Sequence, residues 1–192
     1  MSHIERRQKE KEEIKQKILE AAKTIACREG WGALTIRKIA DEIEYTPPIV
    51  YEYFENKEDL IREIVYSGFY MMNEKFLEAR NAATDPKKLI ESVSIIFWDF
   101  AFGNKELYRL MFSLERPMPN DDMLEGIRLI ENTFLQLTEE KESVKEIIFS
   151  WMCLMNGAIN VVMKFPNLPH HKDINPRELF GRMIHRFVEG LK

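Results

Sequence analysis

TIRKIADEIEYTPPIVYEYFENK, residues 35 to 57, reads as two short helices separated by a break and followed by a capped entry into a longer one. Thr35 is a side-chain cap for the first helix, in which Ile36, Ile39, Ala40 and Ile43 share one face and Arg37, Lys38, Asp41 and Glu42 turn to solvent. Thr46 ahead of Pro47 opens the second, because proline's fixed φ suits a first turn whose amides lack intrahelical partners. Pro48 leaves that start open by one residue, since a residue before proline is pushed out of the α region. The second helix is expected to carry Tyr51 and Tyr53, with Val50 and Phe54 as its core residues. Asn56 with Asp59 makes a box-like entry into the next helix. The whole predicts a helix-turn-helix.

On the N-terminal side, Ile14, Ile18, Ala21, Ala22 and Ile25 give a first long helix over Glu5 to Glu29, stopped by Gly30 in a left-handed position. Before Ile14 the chain lacks an apolar stripe, so that part is either a solvated prolongation of the helix or a flexible basic arm, the former being favoured. Trp31 and Leu34 are expected to fill the small core. On the C-terminal side, Leu60, Ile61, Ile64, Val65, Phe69, Met72 and Phe76 predict a helix over residues 57–81, and Asp85-Pro86 caps the next, to about Phe102, buried on most sides. Gly103-Asn104 breaks it, and a shorter segment through Leu107, Tyr108, Met111 and Leu114 ends near Pro117 and Pro119. Asn120, Asp121 and Asp122 start a helix through Ile130 and Leu137; another runs from near Ser143 to Phe165; Asn175, Pro176 and Glu178 form a capping box for the last. About nine helices and no strand make the chain all-α. An N-terminal three-helix domain at residues 1–56 and a C-terminal helical domain at 57–192, linked by the helix at 57–81, are expected.

Composition bounds the rest. At 192 residues the chain is long enough for one large or two small domains. No apolar run is read as long enough to span a bilayer, and Met1-Ser2-His3-Ile4-Glu5-Arg6-Arg7 has no apolar leader, so no membrane and a cytoplasmic location are expected. Cys27 and Cys153 lie far apart in apolar helical patterns, reading as buried thiols with no metal site or disulfide. Adjacent His170 and His171 read as exposed loop residues. None of the four histidines stands in a recognisable catalytic motif, so no enzyme and no cofactor are expected. The net charge of −4 counts against a nucleic-acid binder, and is offset locally by six basic side chains (Arg6, Arg7, Lys9, Lys11, Lys15, Lys17) against four acidic ones (Glu5, Glu10, Glu12, Glu13) in residues 1–17.

The run from Thr46 to Leu60, TPPIVYEYFENKEDL, following TIRKIA at residues 35–40, resembles the TetR family of transcriptional regulators over about the first third of the chain. The resemblance implies an all-α DNA-binding regulator acting on a palindromic double-stranded operator. It places Thr35 and Arg37 at the DNA backbone, Pro47, Pro48, Ile49 and Tyr53 in the groove and Tyr51 and Lys57 on phosphates, with Thr46 a further DNA-binding residue. The chemistry fits: tyrosine hydroxyls donate to phosphate oxygens, a lysine neutralises one, and Ile49 suits a thymine methyl. Two successive prolines remove two amide donors from the helix start, which shifts readout toward van der Waals contact and DNA shape, and Glu52 is awkward beside a polyanion.

Two neighbouring apolar helices at about 143–165 and 176–191 point to a homodimer, since a two-fold axis buries the same patch from each copy. Phe97, Trp98, Phe100, Tyr108, Met111, Phe112, Trp151 and Met155 offer lining for a small apolar ligand or plain core, and Asn156, with Asn160, is a polar group expected to need a partner across the dimer or on the ligand. The expected mechanism is a repressor released from its operator by that ligand. A helical small-molecule or lipid carrier that reads no DNA is the alternative.

Overall fold

The computed structural model describes residues 3–113, 124–139, 141–166 and 175–191. Among the described residues nine α-helices follow one another: α1 (His3–Glu29), α2 (Ile36–Glu42), α3 (Pro47–Tyr51), α4 (Lys57–Ala82), α5 (Pro86–Gly103), α6 (Lys105–Met111), α7 (Leu124–Phe134), α8 (Val144–Lys164) and α9 (Pro176–Glu189), with 3-10 turns at Trp31–Ala33 and Lys141–Ser143. The described residues contain no strand, so the all-α expectation holds. The starts and stops read around Leu114, Pro117, Pro119, Asn120, Asp121 and Asp122, and the pair His170 and His171, lie outside the described residues.

The chain divides into two compact units, Met1–Gly68 with Lys105–Met118, and Phe69–Asn104 with Pro119–Lys192. The division falls within α4, whereas the sequence expectation set it at that helix's first residue, and it assigns α6 to the first unit. In the first unit Ile18, Ala22, Ile25, Leu34, Ile39, Val50, Leu60, Ile64 and Met111 are fully buried. Trp31 is half-buried, and its indole Nε1 donates to the Glu106 carbonyl at 2.8 Å, tying the first 3-10 turn to α6. Gly68 lets α4 pass the Met111 thioether, which a side chain there would strike.

In the second unit α5 is the central helix, packing against α7, α8 and α9. Its Val93, Phe97, Trp98, Phe100 and Ala101 are buried, as a helix with three neighbours requires. The Trp151 indole donates to Ser94 Oγ at 2.9 Å, and that hydroxyl donates to the Ile90 carbonyl at 2.7 Å, so the polar groups of a fully packed tryptophan are satisfied. Trp98 stacks on Phe102 at a centroid distance of 4.5 Å and meets Phe180 in a tilted contact at 4.6 Å. Outside this core, Arg177 clamps Asp99 through two bonds of 2.6 and 2.7 Å, and Glu91 bonds to His185 at 2.7 Å and Lys88 at 2.9 Å.

The caps are local chemistry. Thr35 Oγ1 accepts from Lys38 N at 3.2 Å, Asp85 Oδ1 from Lys88 N at 3.0 Å and Asn175 Oδ1 from Arg177 N at 2.9 Å. Asn56 Oδ1 accepts from Asp59 N at 2.8 Å, while Asp59 Oδ2 reaches back to Glu55 N at 3.2 Å, one residue before the position a capping box uses.

Several expectations need correction. Gly30 has positive φ, but its φ of 82° with ψ of 159° lies in the extended glycine-only region and not in the left-handed helical one. Helix α3 ends at Tyr51, so Tyr53 stands beyond it. Cys27 and Cys153 are exposed, each on the outward side of its helix, where one apolar stripe alone meets the core. Asn160 is exposed and Asn156 half-buried; each amide turns back on its own helix, Asn156 Nδ2 donating to Met152 O at 2.9 Å and Asn160 Nδ2 to Asn156 O at 2.8 Å. Helix α8 is, by length and apolar composition alone, long enough to cross a bilayer, where no such run was expected.

Candidate nucleic-acid interface

The turn between α2 and α3 is built from backbone bonds. Tyr45 N donates to Ala40 O at 2.9 Å and Glu44 N to Asp41 O at 3.3 Å, the paired bonds of a Schellman stop, with Glu44 at φ 60° in the place a glycine usually takes. The left-handed conformation costs a residue with a Cβ about 1–2 kcal/mol. Packing of Ile39 and Ala40 on one side and Val50 on the other, all 0% exposed, holds it in place.

Helix α3 starts at Pro47, which settles the one-residue ambiguity left by the double proline. Thr46 makes no side-chain cap bond, so its hydroxyl is not spent on the helix. Val50 and Phe54 are buried, as expected, and anchor the segment from below. Thr46, Pro48, Tyr51 and Glu52 are exposed, Pro47 and Ile49 half-buried at the flanks; Tyr51 is 55% exposed. Thr35 and Arg37 are exposed at the start of α2, and Lys57 is half-buried at the start of α4. Tyr53 is half-buried and turned to α1, where Lys11 Nζ lies 5.9 Å from its ring centroid; burial first, and then the Glu52 charge, raise its pKa, which keeps the hydroxyl a proton donor.

The cations sort by whether the protein already neutralises them. Lys38 pairs with Glu29 at 2.5 Å and Arg28 with Glu42 at 3.0 Å, and Glu29's carboxyl is held below its ordinary range by its bonds to Lys38 and Arg28. Lys15 is paired with Glu63 at 2.6 Å and Arg62 with Asp59 at 2.5 Å. Among the described residues Arg37 and Lys57 have no such partner, leaving them for an external anion. The pairing of Lys38 with Glu29 was not readable from the sequence, since it joins the ends of two helices.

The nine side chains considered for ligand lining do not form one group. Phe97, Trp98, Phe100, Trp151, Met155 and Asn156 belong to the second unit, whereas Tyr108, Met111 and Phe112 sit in the first, where Tyr108 stacks at 4.9 Å on Phe112 and burial pushes its phenol pKa to about 12. In the second unit a cleft of about 500 Å³ lies elsewhere, between the end of α4, the start of α5 and α7, with Leu77, Leu89 and Leu129 as floor and Arg80 and Arg128 on its rim. Nearby, Asn73 is buried to 8% exposure against Gly126 of α7, a polar group that no sequence pattern marks out.

Residues 18–64 match the family model of bacterial regulatory proteins, tetR family. No curated protein sequence matches the chain. Solved structures share the fold at low identity. A protein of unknown function from Rhodococcus sp. RHA1 superposes with a TM-score of 0.73 at 15% identity, over 92% of this chain and 94% of its own. A TetR-family transcriptional regulator from Bordetella parapertussis 12822 gives 0.65 at 19% identity, over 92% and 95%. A TetR family transcription regulator from Marinobacter aquaeolei VT8 gives 0.66 at 16%, over 95% and 97%. The matching residues run from α1 into α4 and take in the helix-turn-helix, so residues 18–64 are similar to the tetR family of bacterial regulatory proteins, and the whole chain shares its fold with solved structures of that type.

Proposed function

We propose that this protein is a dimeric transcriptional repressor that holds a palindromic operator through α2 and α3 and is released by a small apolar ligand in its second unit. The observation that carries the DNA-reading part is the sorting of exposed from anchored groups: Val50 and Phe54 fix α3 from below, while Thr46, Pro48 and Tyr51 stand outward between the unpaired Arg37 and Lys57. In this reading Tyr51 and Lys57 hold phosphates, Thr35 and Arg37 position α2 on the backbone, and Pro47, Pro48, Ile49 and Tyr53 shape the groove contact.

The homodimer is supported by α8. From Ile147 to Met163 it carries no charged side chain, and Phe149 at 69%, Met152 at 41% and Val161 at 45% exposure face outward. Leu179, Met183 and Phe187 of α9 are half-buried beside the same unit's core. A two-fold axis along these helices covers that surface with its own copy and places two reading heads on one face of the duplex. A ligand that favours one head spacing over another needs only about 1.4 kcal/mol of differential affinity to change operator binding tenfold.

Fluorescence anisotropy with operator fragments selected from random DNA, combined with sedimentation of the free protein, tests the proposal. Tyr51→Phe with Lys57→Ala is expected to weaken binding at least tenfold, and Phe149→Glu to shift the protein to monomer and abolish binding to full palindromes at equal protomer concentration. A protein that stays monomeric at micromolar concentration and ignores every duplex at low salt refutes the reading, and candidate ligands that never weaken binding remove its release step.

A further inference from the structure

Helix α1 extends well past the body it helps to build. Residues 3–13 are all exposed, an overhang of about 16 Å at 1.5 Å per residue, whereas Ile18, Ala22 and Ile25 further along are fully buried. Helical spacing places Ile4, Arg7, Lys11 and Lys15 on the same stripe as those three, so the body-facing side of α1 continues outward as a basic edge. That edge, with Glu52 and Tyr53 just after α3, borders a groove of about 730 Å³.

The overhang is not uniformly charged. On its far side Arg6 pairs with Glu10 at 3.4 Å and Lys9 with Glu13 at 3.9 Å, so those cations are compensated within the helix. On the groove side Arg7 and Lys11 have no carboxylate partner among the described residues. Of the acidic residues bordering the groove, Glu10 is paired with Arg6, while Glu12, which accepts from the neutral Gln16 amide at 2.8 Å, and Glu52 remain as opposing charges. A helix that neutralises one side and leaves two cations on the side adjoining the reading element presents a rail for a polyanion.

We propose that the groove-facing edge of the α1 overhang, through Arg7 and Lys11, is a second phosphate-binding surface for double-stranded DNA, tracking the backbone beyond the segment that α3 reads. This rests on the DNA-binding reading above. The two contacts are independent of base sequence and act through released counterions, so each adds about 0.9 to the slope of log K against log salt. Two contacts per protomer, four per dimer, change the affinity ratio between the protein and a variant lacking them about 150-fold between 50 and 200 mM salt, from 4 raised to the power of about 3.6.

The test measures salt-dependent binding of full-length dimer to a random-sequence duplex of about 30 base pairs. Arg7→Ala with Lys11→Ala is compared with Arg6→Ala with Lys9→Ala, which removes equal charge from the opposite side. Alanine favours the helix at all four exposed positions, and circular dichroism checks that it remains. With two contacts from each protomer of the dimer, the inference requires the first pair to lower the slope by about 3.6 and the second to leave it nearly unchanged. Equal slopes in both pairs overturn it, as does a first pair that binds like the parent. A parent protein that binds no duplex overturns the DNA-binding reading itself, a result distinct from either.

Discussion

Gly126→Ala and Asn73→Ala, made singly and together, probe the tightest approach in the second unit. Asn73 is 8% exposed, and its Cγ lies 2.9 Å from where a Cβ at position 126 would stand, with Oδ1 nearer still. Two effects oppose each other in Gly126→Ala. Alanine in a helix contributes up to about 1 kcal/mol over glycine, less here because Gly126 stands in the first turn of α7. A methyl group forced onto a packed amide costs about 1–3 kcal/mol. The clash wins, and the variant loses about 1 kcal/mol net. Once Asn73 is shortened to alanine the obstacle is gone and its space receives the new methyl, so the same change at 126 becomes neutral or stabilising. The coupling between the sites is therefore about 2 kcal/mol, as contacting residues show. Urea denaturation at constant m reads it, and for a chain of this size each 1 kcal/mol moves Tm by about 2–4 °C. Additivity within about 0.5 kcal/mol would show that α4 and α7 yield freely there and refute the reasoning.

Glu44→Gly removes the Cβ from a left-handed position and should stabilise the first unit by about 0.5–1 kcal/mol after the entropy cost of glycine; an unchanged or lower midpoint in thermal denaturation argues that Glu44 makes compensating contacts. Glu91 is partly buried, which raises its carboxyl pKa, but bonds to His185 and Lys88 outweigh this and leave it lowered. A carboxyl with a lowered folded value contributes stability that is present above its ordinary pKa of about 4.3 and lost as pH falls through the folded value. The stability difference between the parent and Glu91→Gln should accordingly be open at pH 7 and narrow progressively as pH falls below about 4.3, measured by denaturation at each pH; a difference that does not shrink with acidification denies the linkage.

The helix-turn-helix was legible because its determinants are local. Thr35 caps the residues next to it, Pro47 fixes the φ of a first turn, and Val50 and Phe54 sit one turn apart. Periodicity likewise marked α5 as a helix with neighbours on most sides. What stayed hidden depends on residues distant in the chain. Lys38 meets Glu29 only after α2 folds back on α1, and that pairing decides that Arg37 and not Lys38 is unneutralised. The aromatic residues between 97 and 112 lie close together in sequence, yet Tyr108 and Phe112 leave for the other unit after the break at Asn104. The exposed cysteines show the limit of a pattern that counts apolar neighbours along the chain without knowing which stripe is covered.

The first unit is discontinuous: its last helix, α6, arrives after an excursion of the chain through residues 69–104. During synthesis the reading head therefore emerges unfinished, with the Trp31 indole lacking its acceptor on Glu106 and Gly68 not yet facing Met111. At about 5–20 residues per second the ribosome supplies the missing piece several seconds later. Completion of the helix-turn-helix unit is thus tied to translation of a segment beyond it, and a nascent chain halted before Met111 carries that unit with an open seam.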